Sequence, residues 1–147
     1  NNYKSPNICK ILNDNDILKI AHFARFELGI LKYYLNVKIE NIYCTKIASK
    51  LGRTYTDKHG LYDITKELLN ITLNKSQQSS DWGLKNLSEE QKQYAALDVL
   101  HLHKLKEKLD LMLKREKRDQ LAKRCFDFLS TRSELDLSGW NEDIFSH

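Results

Sequence analysis

The stretch I-L-K-I-A-H-F-A-R-F-E, residues 17–27, contains a strand pattern that passes directly into a helix pattern. Its apolar run at 17–21 predicts a short buried strand. From about Phe23 to Leu35 the apolar side chains recur at helical spacing, which predicts a helix. The apolar positions of this helix are Phe26, Ile30, Tyr33 and Tyr34. The turn from a strand's carboxyl end into a helix is a position at which ligands commonly bind in α/β sheets.

Further predicted elements lie on both sides of this unit. They are a helix at 6–12, a strand at 42–44, helices at 45–51, 61–69, 88–115 and 118–129, and an irregular tail at 133–147. The long helix has the strongest start signal, the S-x-x-Q capping box from Ser88 to Gln91. Because an isolated strand leaves its backbone groups unpaired, the first strand must pair with others. We expect its partners either before Asn1 or in another chain.

Composition excludes several protein classes. The chain has 147 residues, 41% of them apolar and 30% charged, which excludes collagen-like and disordered chains and fits a single domain over 1–147. No run of 18 apolar residues exists, which excludes a membrane-spanning helix. The three cysteines form no C-x-x-C pair, so neither a disulfide framework nor a structural zinc site is expected. Reduced thiols indicate a cytoplasmic protein.

The charge distribution indicates one candidate anion-binding region. The net charge is +4, and residues 104–124 contain nine Lys or Arg against four Asp or Glu. A basic helical surface of this kind can bind phosphate groups, or it can be an ordinary solvated helix face. The composition leaves both interpretations open.

Tyr94 and Asp98 are one candidate pair for chemistry, because residues four apart share one face of the predicted helix. A carboxylate can bind a divalent cation while a phenol orients the attacking water, a combination suited to phosphoryl hydrolysis. The pattern Y-x-x-x-D is equally typical of a core tyrosine beside a surface aspartate. The spacing alone does not choose between them.

His22, Arg25 and Glu27 form a second candidate group at the turn between the first strand and its helix. Ligands commonly bind where the strands of an α/β sheet end. Glu27 could hold a metal or its water there. The alternative is a pair between Arg25 and Glu27 on a solvated helix face.

The polar loop K-S-Q-Q-S-S-D-W-G at 75–83 is a third candidate. It offers a cation at Lys75, an amide at Gln78 and a stacking ring at Trp82. These groups suit a sugar–phosphate chain with unstacked bases. The alternative is a polar connection in which Trp82 is a packing anchor.

Five segments, taken in order, carry a resemblance to a known family. They are H-F-A-R-F-E at 22–27, C-T-K-I-A-S-K-L at 44–51, T-Y-T-D-K-H-G-L at 54–61, the loop at 75–83 and L-S-E-E-Q-K-Q-Y-A-A-L-D-V-L-H-L at 87–102. From about Ile17 to Leu109 the chain resembles the ribonuclease D family of 3′-5′ exonucleases, in the group with four acidic residues and a tyrosine (DEDDy). The resemblance implies an RNase H-like α/β exonuclease fold that lacks its first strands, so that this chain is mostly helical.

The resemblance also implies a mechanism and a substrate. Two divalent ions, Mg²⁺ or Mn²⁺, would lie about 4 Å apart over the scissile phosphate, and nucleoside monophosphates would leave from single-stranded RNA 3′ ends such as those of tRNA-type precursors. Asp98 matches a metal-binding aspartate, Tyr94 matches the tyrosine that orients the water, and Glu27 stands where the second motif has aspartate. The residues that would line the substrate path are His22, Arg25, Lys75, Gln78 and Trp82.

Two departures from the family pattern bear on activity. The first motif, D-x-E on a strand, is expected before Asn1, and without it Asp98 and Glu27 leave the two-ion site incomplete. Glutamate in place of aspartate at Glu27 moves the carboxylate by roughly 1 Å. The leading hypothesis is therefore the C-terminal portion of a metal-dependent 3′-5′ exonuclease, completed by a missing N-terminal segment or a partner chain. The alternative is a catalytically inactive fragment that binds RNA weakly.

Overall fold

The computed structural model describes residues 4–73, 79–140, 142 and 144–146. The strands in these ranges are β1 (Lys19–Ala21) and β2 (Ile42–Cys44). The helices are α1 (Pro6–Asn13), α2 (Ala24–Leu35), α3 (Thr45–Gly52), α4 (Leu61–Leu69), α5 (Glu89–Leu100), α6 (Leu102–Arg115) and α7 (Asp119–Leu137). The chain is therefore an α/β protein that is mostly helical, as the resemblance implies. Within the same ranges, no helix is both long and apolar enough to cross a bilayer.

β1 and β2 form a two-stranded parallel sheet, with α2 as the connection between them. The Cα partners are Lys19 with Ile42, Ile20 with Tyr43, and Ala21 with Cys44. The strand predicted at 17–21 thus begins two residues later. It finds one partner within this chain, which corrects the expectation that its partners lie before Asn1 or in another chain. In the described part of the chain, no strand pairs with the other edge of β1.

α2 buries a face other than the one marked by its large apolar residues. Its buried residues are Ala24 and Leu28, and Leu31 and Leu35 pack against the same core. The positions that define the helical pattern in the sequence are exposed: Phe26, Ile30, Tyr33 and Tyr34. α7 packs against α2, close enough that a Cβ on Gly29 of α2 would lie 3.8 Å from Ser133 Oγ of α7.

α6 supplies the centre of the core. Its buried leucines are Leu102, Leu105, Leu109 and Leu113. α3 lies so close to α6 that a Cβ on Gly52 would be 3.3 Å from the Cβ of Met112. The single helix predicted at 88–115 is two helices separated at His101, because the His101 backbone (φ −97°, ψ −5°) departs from regular α-helical values.

α7 extends to Leu137, so the predicted end at 129 and the predicted irregular tail from 133 are wrong for these residues. Its last turn is anchored on α2. Arg25 donates from Nε and Nη2 to the two carboxylate oxygens of Asp136, each at 2.7 Å. Residues 111 positions apart make this ion pair, which no local sequence pattern reveals.

A buried arginine fixes the connection between α3 and α4. Arg53 is fully buried, and its guanidinium pairs with Glu67 on α4. It also donates to Lys58 O at 2.7 Å and to Ser49 Oγ at 2.9 Å. These contacts hold the loop so that Gly60, the N-cap residue of α4, lies at the cavity described below.

Candidate active site

The carboxyl ends of β1 and β2 meet at one edge of the sheet, and the residues that follow the two strands are in contact there. His22 follows β1, and Thr45 begins α3 directly after β2. Thr45 Oγ1 donates to Ala21 O at 3.3 Å, and His22 Nδ1 lies 2.9 Å from Thr45 Oγ1. Because the threonine proton goes to the carbonyl, the network assigns the ring proton of His22 to Nδ1 and leaves Nε2 as an acceptor.

His22 is a neutral ring at physiological pH. Desolvation, with a smaller contribution from the nearby charge of Lys46, lowers the pKa of His22 to about 4. The imidazole therefore does not attract a phosphate as a cation. It can accept a hydrogen bond from a water molecule or a hydroxyl group.

The chain turns sharply between His22 and α2. Phe23 has a left-handed backbone, with φ 65° and ψ 46°, which costs a non-glycine residue about 1–2 kcal/mol. Its ring lies parallel to that of Phe26, with centroids 6.1 Å apart, and Lys46 Nζ lies 4.1 Å from the Phe23 centroid. These contacts hold the turn that starts α2, and Glu27 in the first turn of α2 reaches the cavity as a result.

A cavity of about 650 Å³ lies beside this edge of the sheet. Its polar wall combines His22, Glu27 on α2, and Tyr94 and Asp98 on α5. The rest of the wall is mainly apolar, with contributions from Ile20, Leu28, Leu31, Ile39, Leu61 and Leu102. A largely apolar cavity with a few convergent polar groups is the usual form of a binding or catalytic site.

The two carboxylates influence each other. Burial raises the pKa of Asp98. Burial, together with the charge of Asp98, raises the pKa of Glu27 and also that of the Tyr94 phenol. Like charges brought together in a partly desolvated cavity favour a bound cation, which would lower all three pKa values.

The donor set suits a hard divalent cation but provides only part of its coordination. Asp98 and Glu27 offer carboxylate oxygens, the ligand type that Mg²⁺ and Mn²⁺ prefer. Across residues 4–73 and 79–140 and the described tail positions, no group of three or more His, Cys, Asp or Glu side chains could hold a metal ion. An ion here would need further oxygens from water, from a substrate phosphate or from other residues.

The ring of Trp82 lies beside the ring of Tyr94. The two ring centroids are 5.9 Å apart, and 40% of Trp82 remains exposed.

The predicted capping box at the start of α5 is confirmed: Ser88 N–H donates to Gln91 Oε1 at 2.9 Å, and Gln91 N–H donates to Ser88 Oγ at 3.2 Å. The helix that carries Tyr94 and Asp98 therefore begins at a fixed point.

Of the other sequence-predicted substrate residues, Arg25 is described by the structure and does not line the cavity. Its guanidinium is bound to Asp136 on α7. Lys75 and Gln78 lie outside the described residues. Substrate binding by these three residues stays a prediction.

Sequence reasoning missed the contribution of α4. Gly60, Tyr62 and Asp63 line the cavity at the start of this helix, and Lys19 of β1 does so from the sheet. The segment T-Y-T-D-K-H-G-L at 54–61 marked the region without giving any of its residues a role. The positions of Gly60, Tyr62 and Asp63 depend on the loop that Arg53 holds. That loop is a tertiary feature, which a local sequence pattern does not reveal.

The chain is similar in sequence to a 3′-5′ exonuclease family and to proteins of two kinds, ribonuclease D and DNA polymerase I. Residues 3–114 match the family described as 3′-5′ exonuclease. The chain is 32% identical to ribonuclease D of Gluconacetobacter diazotrophicus over 108 residues, which are 74% of this chain and 27% of the relative. It is 35% identical to DNA polymerase I of Aquifex aeolicus over 124 residues, which are 84% of this chain and 20% of the relative. The chain thus spans a minor part of either relative.

Solved structures of NrnC from Brucella melitensis are similar over nearly the whole chain. One has a TM-score of 0.96 at 52% identity and covers 99% of this chain and 71% of that one. NrnC bound to pGG has a TM-score of 0.94 at 52% identity, with coverages of 98% and 70%. NrnC with bound Mg²⁺ has a TM-score of 0.94 at 50% identity, with coverages of 99% and 71%.

Proposed function

The chain belongs to the 3′-5′ exonuclease family, and on this premise we propose that it removes nucleoside monophosphates from RNA 3′ ends in a reaction that depends on a divalent metal. The observation that carries the proposal is the pair of carboxylates Glu27 and Asp98, close enough that the charge of Asp98 raises the pKa of Glu27. Tyr94 lies beside them on the wall of the same cavity. Paired carboxylates next to a phenol suit metal-assisted phosphoryl hydrolysis.

Each side chain has a separate task in this proposal. Asp98 and Glu27 would hold Mg²⁺ or Mn²⁺, which when bound activates water and polarises the phosphoryl oxygen. Tyr94 orients the attacking water through its phenol, which is protonated at neutral pH as an ordinary tyrosine is, and burial raises its pKa further. His22 accepts a hydrogen bond from a ribose hydroxyl, since its ring is neutral.

Single-stranded RNA is the proposed substrate class, with tRNA-type precursors and short oligonucleotides as candidates. NrnC of Brucella melitensis was solved bound to pGG at 52% identity to this chain, which supports the inclusion of short substrates. The exposed ring of Trp82 offers a stacking surface for an unpaired base. Lys75 and Gln78 would contact the sugar–phosphate backbone of the same strand.

We further propose that another strand completes both the sheet and the metal site. One edge of β1 is unpaired in the part of the chain that the structure describes, and the residues of β1 line the apolar cavity. Unpaired strand edges favour the addition of an extended segment. A strand of the D-x-E type, from before Asn1 or from a partner chain, would bring the carboxylates that the described residues lack.

We infer a cytoplasmic location for the protein. Cys9, Cys44 and Cys125 are free thiols. Free thiols are typical of proteins in a reducing compartment.

A cleavage assay tests the nuclease proposal. The chain, together with the segment or partner chain that supplies the D-x-E strand, is incubated with 5′-labelled single-stranded RNA, and in parallel with pGG, in Mn²⁺ or in chelator. We expect stepwise shortening from the 3′ end that requires Mn²⁺. Asp98→Asn should lower the rate by more than about 100-fold, because a lost metal ligand costs more than a lost outer-shell partner.

Glu90→Gln is the matched control for this assay. Glu90 is an exposed acid in the first turn of the same helix, and the substitution changes the charge by the same amount. The rate should be unchanged in this variant. Cleavage in chelator, or cleavage by Asp98→Asn at the wild-type rate, would contradict the proposal.

The second candidate function is RNA binding without catalysis. It is favoured by the lack of a three-ligand group among the described side chains, and the basic region 104–124 supplies cations for phosphate contacts. Such binding would persist in chelator and weaken steeply as the salt concentration rises. Salt-dependent binding together with no cleavage in Mn²⁺ would favour this candidate over the nuclease.

A further inference from the structure

The side chain of Gln91 joins α5 to the segment that carries Trp82. Only 4% of Gln91 is exposed. Its Nε2 donates to Ser80 Oγ at 3.1 Å and to Asp81 O at 2.9 Å, while its Oε1 accepts from Ser88 N–H. Both hydrogens and the oxygen of the amide are therefore used, as a buried amide requires.

These contacts hold the backbone immediately before Trp82. Trp82 directly follows Asp81, whose carbonyl Gln91 holds and whose Oδ1 accepts from Gly83 N–H at 2.8 Å. The indole then lies 5.9 Å from the ring of Tyr94, with 40% of Trp82 still open to solvent. Gln91 and Tyr94 are three residues apart on α5, so they share one face of the helix.

We propose that Gln91 is a positioning residue that holds Trp82 beside Tyr94 as a stacking surface for an unpaired base of single-stranded RNA. The identity of the ligand rests on the function proposed above. A base gains most from a ring that is already fixed, since otherwise binding must also order that ring. The bond to the Asp81 carbonyl is a main-chain contact, so it holds the backbone of the segment directly.

Gln91 has two separable roles. Gln91→Glu keeps an acceptor for Ser88 N–H, since glutamate serves in a capping box as glutamine does. The same change removes both donors and places an oxygen against the carbonyl of Asp81. Ser88→Ala does the reverse, because it removes part of the cap and leaves the contacts with Ser80 and Asp81.

The main experiment measures affinity without cleavage. Fluorescence anisotropy of a 5′-fluorescein-labelled oligoadenylate RNA is recorded in chelator. We expect Gln91→Glu to raise Kd about tenfold, as for the loss of one stacked base. Gln93→Glu adds the same charge at an exposed position of the same helix. This control and Ser88→Ala should both leave Kd within about twofold of wild type.

Two further readouts separate positioning from a general loss of structure. In a Trp140→Phe background Trp82 is the sole tryptophan. Gln91→Glu should then shift its emission to longer wavelength, and Gln93→Glu should not. In a Trp82→Ala background Gln91→Glu should change Kd no further, because the glutamine acts through that ring.

Any of four results would overturn the inference: equal Kd values for Gln91→Glu and Gln93→Glu, an equal loss in Ser88→Ala, unchanged Trp82 emission, or an added loss in the Trp82→Ala background. Failure of the wild-type chain to bind the probe would also overturn it. Hydrolysis is not measured, so a chain that binds the probe but never cleaves RNA refutes only the nuclease proposal.

Discussion

Asp136 accepts hydrogen bonds from two arginines, which makes it a pH-sensitive contact between α2 and α7. Hydrogen bonding from Arg25, with a smaller contribution from Arg132, lowers the pKa of Asp136 to about 2. In an unfolded chain the pKa of an aspartate is about 3.9. Above about pH 5 the carboxylate is charged in both states and contributes in full. As pH falls from about 5 toward 2, the unfolded chain takes up the proton first and this stability is lost.

Asp136→Asn should therefore lower the free energy of unfolding by about 1 kcal/mol at pH 7, after allowance for solvent screening of the partly exposed Arg25. The difference from wild type should shrink as pH falls below about 5. Urea unfolding at a series of pH values measures it. Asp57→Asn, in an exposed loop, is the control and should have no such effect. A difference that stays constant with pH would contradict the role given to Asp136.

Glu67→Ala tests the buried arginine. We expect a loss of about 3 kcal/mol in the free energy of unfolding, because the fully buried guanidinium of Arg53 would lose its counter-ion. Glu107→Ala, on an exposed position of α6, should change it by less than about 0.5 kcal/mol. Chemical denaturation of both variants gives the comparison. Equal effects would mean that hydrogen bonds to Lys58 O and Ser49 alone suffice for Arg53.

At the scale of elements, two helical glycines lead to opposite expectations. A Cβ on Gly29 in α2 would meet Ser133 Oγ at 3.8 Å, an ordinary contact, whereas one on Gly52 in α3 would meet Met112 Cβ at 3.3 Å. Gly29→Ala should raise the free energy of unfolding by about 0.5–1 kcal/mol through helix propensity. Gly52→Ala should lower it by about 1 kcal/mol through overpacking. Urea unfolding measures the free energy of unfolding of both variants. A higher value than wild type in both would contradict the close packing of α3 on α6.

Elements with local signals were predictable from sequence, and their partners were not. The capping box at Ser88 depends on residues three positions apart, so the start of α5 could be placed correctly. α2 carries two apolar stripes at helical spacing, and which one is buried depends on how the helix packs on the sheet and on α7, which is a tertiary feature. The end of α7 was missed for a related reason, since its last turn is anchored by a contact with Arg25.

The same division applies to the candidate site. Tyr94 and Asp98 could be paired from their spacing, and they do line one cavity. The approach of Glu27 to Asp98 joins α2 to α5, and sequence suggested it only through the family resemblance. Asp63 had no signal of its own, because its place on the cavity wall depends on the loop held by Arg53.

At the scale of the whole molecule, the chain exposes more surface than a compact protein of its mass. Its accessible surface is 10357 Å² at 17.3 kDa, whereas a folded monomer of that mass has about 7,800 Å². The excess, about 2,500 Å², is larger than one partner's share of a standard protein–protein interface. Part of it lies in the open cavity and in the exposed aromatic face of α2.

We expect the folded chain to bind the dye 8-anilinonaphthalene-1-sulfonate at neutral pH without denaturant, because its apolar cavity is open. Val99→Glu, at an exposed position on the cavity wall, should reduce the fluorescence. Ile8→Glu on α1 is the control, since Ile8 is similarly exposed but does not line the cavity. No dye fluorescence in wild type, or an equal reduction in both variants, would contradict an open apolar cavity.

The packing of α2 on α7 also sets the time at which the chain can fold during its synthesis. The ribosome releases α2 long before Asp136, which follows Arg25 by 111 residues. At about 5–20 residues per second, α2 waits roughly 5–20 s for this partner. Throughout that interval the side of α2 that carries Arg25 and Gly29 lacks the helix on which it packs, while the aromatic residues Phe26, Tyr33 and Tyr34 are exposed as well. A nascent α2 therefore has no partner on the α7 side until translation reaches that helix.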